Sequence, residues 1–266
     1  MSHTKPAARL WEKLRVTDAG RVRTIALYNP DRRNAIGPQM VNELLHALTD
    51  AHEDDDVRVI VLTGDGKAFC AGGDFGSMSG GGAEGRVELP PKGDYADLLL
   101  AMVRAEKPIV ARVNGAAMGG GLGLVAASTF AIADAGAKLG TPEIDVGLFP
   151  MMIMAVLSRL VPRRALLDMM LLGKKLSAEE ARSVGILNEV TDDLDAATKR
   201  LTDALVSKSP ITLALGLRAF AEQDDMDLAS ALPLLRGKLG ECLATEDARE
   251  GLTAFLEKRP PVWKGR

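Results

Sequence analysis

Two stretches of this sequence are rich in glycine directly after runs of β-forming residues: Leu62 to Phe75 (LTGDGKAFCAGGDF) and Val113 to Leu124 (VNGAAMGGGLGL). Glycine lets a ligand approach the main chain closely and leaves amide N–H groups free to point at an oxygen. A helix opening at such a cluster adds partial positive charge. The chemistry on offer is stabilisation of developing negative charge by backbone groups. The same glycines also suit tight turns and close helix packing.

Other chemistries leave weaker marks. Gly121, Gly123 and Ala126 match the G-x-G-x-x-A dinucleotide fingerprint, with Glu143 downstream as its acidic residue, so an NAD-binding oxidoreductase is a remote alternative. That fingerprint wants its acid at the end of the next strand, whereas Glu143 follows Thr141-Pro142 beyond a strand and a turn, and the first glycine cluster is left without a role. His3, His46 and His52 form no base or ligand set. His46 and His52, among Glu43, Glu53 and Asp54, read as a solvated helix face, and metal-ligand spacing is absent. No G-x-S-x-G elbow occurs and no histidine follows residue 52, which argues against a serine hydrolase.

The elements that must hold these groups are legible in outline. Arg21 to Tyr28 and Val57 to Thr63 are β-branched runs that predict strands, and Pro38 to His52 spaces Met40, Val41, Leu44, Leu45 and Leu48 at helical intervals. Ile109 to Val113 and Phe130 to Ala133 predict further strands, with a helix of small residues opening near Gly119. Gly76 to Gly93 is too dense in Gly and Pro for regular structure and predicts a loop, either a passive linker or a lid. From Met151 onward the spacing turns helical (Met151 to Leu160, Arg163 to Leu172, Ala178 to Val184, Leu194 to Ser207, and around Ile211 to Glu222), and strands are expected to end near residue 145. Strand and helix units followed by helices imply an α/β core, residues 1–200, with a C-terminal helical region, residues 201–266.

Composition bounds the rest. The 266 residues are 47% hydrophobic and 26% charged, with a formal net charge of -3; the pI is about 5.7 and the mean hydropathy +0.05. These values suit a globular protein and lack the basic field that binding a nucleic-acid backbone requires. Met1 to Trp11 carries Lys5, Pro6 and Arg9 and no unbroken apolar run, so neither a signal peptide nor a membrane anchor is expected and a cytoplasmic location is. Cys70 and Cys242 are expected to be free thiols, used in ordinary packing.

Both glycine clusters, together with Leu139 to Pro150 (LGTPEIDVGLFP), Arg33-Asn34-Ala35 and the C-terminal Glu250 to Val262 (EGLTAFLEKRPPV), resemble the crotonase, or enoyl-CoA hydratase/isomerase, family over nearly the whole chain. The resemblance implies a core of ββα units, C-terminal helices that build subunit contacts, and a trimer or dimer of trimers. It implies an acyl-CoA thioester as substrate, coenzyme A being part of that substrate, and no separate cofactor or metal. Carried over residue by residue, the oxyanion-hole amides fall on Gly73 and Gly120. The CoA site falls on Arg33, Ala35 and Ala71, with Phe255 and Lys258 completing it from the same or a neighbouring subunit.

One position departs from the hydratase pattern. Of that family's two glutamates the second is present as Glu143, while the first falls on Gly123. Proton transfer by a single carboxylate is then expected, as in double-bond isomerisation or one-glutamate hydration, and an apolar setting would raise the Glu143 pKa. A catalytically weak acyl-CoA binder that has lost hydratase chemistry is the alternative. Asp145 reads as a second acid or a local cap. The aspartate that some family members use further along this turn corresponds to Met151, and Phe149, Met151 and Met152 read as acyl-pocket lining or as core.

Overall fold

The β-branched runs form strands because their side chains can be buried on both faces of a sheet. In β3 (Val59–Gly64) every residue is buried, and β2 (Val22–Leu27) alternates partly buried and buried positions. The computed structural model describes residues 9–74, 76 and 89–266, so most of the stretch expected as a loop or lid, Gly76 to Gly93, lies outside the described residues.

Two sheets organise the chain. The larger has six strands in the order β1 (Leu14–Ala19), β2, β3, β5 (Ile109–Val113), β7 (Phe130–Asp134) and β10 (Glu189–Thr191). Among its described strands only the β1–β2 pair is antiparallel. The smaller has the order β4 (Ala68–Cys70), β6 (Ala116–Met118), β8 (Lys138–Gly140) and β9 (Lys175–Ser177); β4, β6 and β8 are parallel and β9 is antiparallel. The chain repeatedly places one strand in the large sheet and the next in the small one: β3 then β4, β5 then β6, β7 then β8. The corners are tight. A Cβ at Gly64 would lie 2.2 Å from the Ala68 carbonyl oxygen and one at Gly115 2.2 Å from that of Lys67, so only glycine fits there.

Helices close the layers. α1 (Pro38–Glu53) packs on β1 and β2 of the large sheet, α3 (Gly120–Ala127) on β4 and β6 of the small sheet, and α2 (Tyr95–Val103) against both helices, followed by α4 (Met151–Leu157), α5 (Arg163–Leu172) and α6 (Ala178–Ser183). α7 (Leu194–Val206) covers the large sheet through Leu194, Ala197 and Leu201. Beyond it come α8 (Pro210–Gln223), α9 (Leu228–Leu243) and α10 (Glu246–Glu257). Phe69, Ile25, Leu44, Leu98, Leu122 and Leu124 are among the largest fully buried side chains of one continuous core. Each such side chain contributes about 1.5–3 kcal/mol through removal from water.

The mixed α/β architecture and its ββα repeats are as the sequence implied, but two readings are corrected. Strands do not end near residue 145, because β9 and β10 join the two sheets as edge strands. Both are three-residue strands, too short for a period-2 signal. The α1 face carrying Glu43 and His46 is not solvated. Glu43 is 1% exposed and accepts hydrogen bonds from the Glu12 and Lys13 amides, and His46 is 7% exposed with Nε2 2.9 Å from the Pro90 carbonyl oxygen. Tertiary partners satisfy polar groups that a helical pattern alone assigns to water. Among the described residues no helix is long and apolar enough to cross a membrane.

Candidate active site

Three adjacent parallel strands of the small sheet deliver the site. β4 runs into Ala71, Gly72 and Gly73; β6 runs into Gly119 and Gly120; β8 runs into Thr141 and a 3-10 turn, Pro142–Val146, that carries Glu143. Because the strands are parallel, all three exits lie at the same edge, the usual place for a ligand in such sheets. Thr141 is fully buried and its hydroxyl donates to the Met169 carbonyl, 3.0 Å, which ties the turn to α5. The Gly119 amide donates to the Gly140 carbonyl, 2.9 Å, which ties the β6 exit to the β8 exit.

Gly73, Gly120 and Glu143 line one cavity of about 410 Å³, whose remaining walls come from Ile36, Gly37, Pro38 and Val41 at the start of α1, Gly93 to Tyr95 at the start of α2, and Leu148 to Ile153 at the start of α4. Gly73 forms a bridge with Ile36, in which the Ile36 amide donates to Gly72 and the Asp74 amide donates to Ile36. That pattern leaves the Gly73 N–H out. The Gly120 N–H is the first of α3 and has no intrahelical acceptor. Among the described residues neither N–H is given a backbone partner.

Glu143 has an unusual setting. Its Oε2 is buried without a hydrogen-bond partner among the described residues. Its Oε1 lies so near Gly119 that a Cβ there would sit 2.6 Å away. Burial pushes its carboxyl above the ordinary 4.5, partly offset by its own backbone N–H. The arrangement can hold an oxygen at two amides beside a proton-carrying acid. Phe149, Met151 and Met152 line the same cavity, so the acyl-pocket expectation and the acid fall together. Asp145 is exposed and lies against Gly173, outside the cavity wall.

The expected CoA residues divide. Arg33, Ala35 and Ala71 lie together: the Ala71 amide donates to the Arg33 carbonyl, 3.0 Å, and Ile36, next to Ala35, lines the cavity. Phe255 and Lys258, at the end of α10, are outside the cavity wall within this chain, and Phe255 is 81% exposed. The dinucleotide fingerprint does not fit. Gly121 and Gly123 lie inside α3 and not in a strand-to-helix turn, and Cβ atoms there would meet Cys70 at 2.6 Å and the Tyr95 hydroxyl at 2.3 Å. These glycines serve helix packing. Cys70 is a buried free thiol, pushed up to about 12 by burial, and Cys242 is free as well. No group of three or more His, Cys, Asp or Glu poised for a metal occurs among the described residues.

Tyr95 escaped the sequence reading. Asp94 caps α2 by accepting from the Ala96 and Asp97 amides while Asp97 accepts from the Asp94 amide, which fixes Tyr95 in the first turn, on the cavity wall. Its hydroxyl donates to the Gly120 carbonyl, 2.5 Å. The Asp94-x-x-Asp97 spacing was the signal available for the helix start.

The fold and cavity define a protein of the ββα class with backbone amides and one carboxylate at a shared strand edge. The family model described as enoyl-CoA hydratase/isomerase matches residues 17–266, and the chain belongs to that family. Among its relatives, the "Enoyl-CoA hydratase domain-containing protein 3, mitochondrial" of Mus musculus is 34% identical over 245 residues, 91% of this chain and 81% of the relative. The "Short-chain-enoyl-CoA hydratase" of Clostridium acetobutylicum is 31% identical over 245 residues, 90% of this chain and 93% of that protein. A crystal structure of an enoyl-CoA hydratase from Mycobacterium smegmatis superposes with a TM-score of 0.86 at 32% identity, covering 95% of this chain and 99% of the other.

Proposed function

We propose that this protein is an enzyme acting on an unsaturated acyl-CoA thioester through an enolate, with Glu143 as the single acid/base. The observation that carries this reading is the meeting of Gly73, Gly120 and the Glu143 carboxylate, whose Oε2 is buried without a hydrogen-bond partner among the described residues, in one apolar cavity. With the thioester oxygen between the two amides, negative charge is stabilised as it develops, each donor contributing about 3 kcal/mol in comparable sites. Glu143 removes a proton from the carbon beside the thioester carbonyl. The electrons move into a dienolate, and the protonated Glu143 returns the proton two carbons further along the chain, shifting the double bond. Isomerisation of a 3-enoyl thioester needs nothing more; one-glutamate hydration of a 2-enoyl thioester is the competing reaction at the same site. The raised Glu143 pKa supports both, because a base must also release its proton.

Arg33, Ala35 and Ala71 hold the CoA head in this reading. Phe255 and Lys258 join from a neighbouring subunit. The exposed apolar side chains of the late helices, among them Phe220, Leu228, Leu252, Phe255 and Leu256, support self-association into a trimer or dimer of trimers. The test is a panel of 2-enoyl- and 3-enoyl-CoA substrates followed for water addition and bond migration, with the protein and its Glu143→Gln variant. Turnover by the unmodified protein that falls at least ~100-fold in Glu143→Gln, with CoA thioester binding retained, is expected for loss of a general base. Binding without turnover across the panel would refute the enzyme and leave an acyl-CoA binder, the reading that Gly123 in place of a second glutamate favours.

A further inference from the structure

The position at which the two-glutamate relatives' first acid would fall is not an open gap. A Cβ built on Gly123 would lie 2.3 Å from the Tyr95 hydroxyl and 2.4 Å from Ile153 Cγ2, so these side chains already occupy the space that a longer residue would enter. The capped start of α2 fixes Tyr95 there, and its one hydroxyl proton is committed to the Gly120 carbonyl, 2.5 Å away. Gly120 also lines the cavity and carries the first N–H of α3, which has no intrahelical acceptor.

Resting on the enolate reading, we infer that Tyr95 is a positioning and specificity-determining residue: its phenol takes the place of a second acid, holds Gly120 through its carbonyl, and confines the site to proton relocation in 3-enoyl thioesters over water addition to 2-enoyl ones. Water addition at two-acid sites relies on a second carboxylate to hold the attacking water. The phenol does not replace it as a base, because burial, with the neighbouring Cys70 and then Glu143 adding to it, keeps it neutral well above its ordinary range. Nor does it offer a donor to that water while bonded to Gly120. Glu143 Oε2 is buried with no partner among the described residues, so none of the described acids shares its proton.

The experiment compares the protein with Tyr95→Phe and Tyr95→Ala on matched 2-enoyl- and 3-enoyl-CoA substrates. Phe keeps the volume and removes the anchor: kcat for isomerisation should fall ~5-fold, the loss expected for one hydrogen bond, with KM changed much less and the product ratio kept. Ala opens the space to water, and the ratio of hydration to isomerisation should rise on the order of 10-fold. Tyr95→Ala/Gly123→Glu should raise it further and add a second ionising limb to the pH profile of hydration. A ratio unchanged within about twofold in Tyr95→Ala overturns the specificity claim, and an unchanged kcat in Tyr95→Phe overturns the positioning claim.

A thermal-denaturation cycle separates this inference from the enolate reading. Gly123→Ala should lower Tm by on the order of 5 °C in the unmodified protein and by less in the Tyr95→Ala background, where the hydroxyl clash is gone and Ile153, the other contact, can move into the space the phenol leaves. Equal shifts in the two backgrounds overturn the packing claim whatever the protein's activity. Failure of the unmodified protein to turn over any thioester, with the cycle coupled as expected, overturns the reaction and its specificity while leaving Tyr95 in its place over Gly123.

Discussion

Replacing Gly119 with alanine perturbs the site through the backbone alone. Gly119 caps α3 at φ 48° and ψ -122°, a conformation that side chains of L-residues rarely adopt, and forcing one there costs about 1–3 kcal/mol. The new Cβ would lie 2.6 Å from Glu143 Oε1, so the carboxylate must retreat by about 0.8 Å to reach an ordinary contact near 3.4 Å. Misplacing a catalytic group by about 1 Å costs on the order of 100-fold in rate. Gly119→Ala is therefore expected to lower Tm by about 2–12 °C, at roughly 2–4 °C per kcal/mol for a chain of this size, and to lower kcat on 3-enoyl-CoA by about 30–100-fold. Gly20→Ala, in the β1–β2 hairpin at φ 60° with nothing within 4 Å, is the control: it carries the backbone strain without touching Glu143. Differential scanning fluorimetry and steady-state kinetics on both variants separate strain from displacement. If Gly119→Ala keeps kcat within threefold of the unmodified protein while Gly20→Ala loses comparable stability, the carboxylate is not where the argument requires it.

Two further outcomes follow from the same geometry. Glu143 must be ionised to take a proton and its pKa is raised by burial, so the acidic limb of kcat/KM should lie above 4.5; the same raised pKa means that protons favour the native state, so the protein should lose stability relative to Glu143→Gln as pH rises from 4.5 through that limb. A limb at or below 4.5, or a stability difference that runs the other way, contradicts the buried setting. Arg23, 7% exposed, binds Asp18 and the buried Asp54 at 2.8 and 2.9 Å; Arg23→Ala takes the paired guanidinium from the buried Asp54, leaving Lys107 as the nearby cation, and should cost about 3 kcal/mol in urea denaturation, whereas a loss under 1 kcal/mol would show that the pair is dispensable.

Much was legible in the chain itself because it is local. The β-branched runs at Val59–Gly64 and Ile109–Val113, the helical spacing of Pro38–Glu53 and the two glycine clusters depend only on neighbouring residues. The order of several motifs then pointed to Gly73, Gly120 and Glu143. What sequence did not reveal depends on residues distant along the chain. Three-residue strands such as β9 and β10 form only because a partner strand supplies their hydrogen bonds. Glu43 and His46 are polar by type and buried by their tertiary partners.

Gly123 divides the two kinds of knowledge. Its identity says at once that no carboxylate stands there, and no property of the neighbouring residues says what does. Only the packing of α2 and α4 against α3 brings Tyr95 and Ile153 into that space, because the fit is a matter of ångströms between helices that sequence spacing cannot specify.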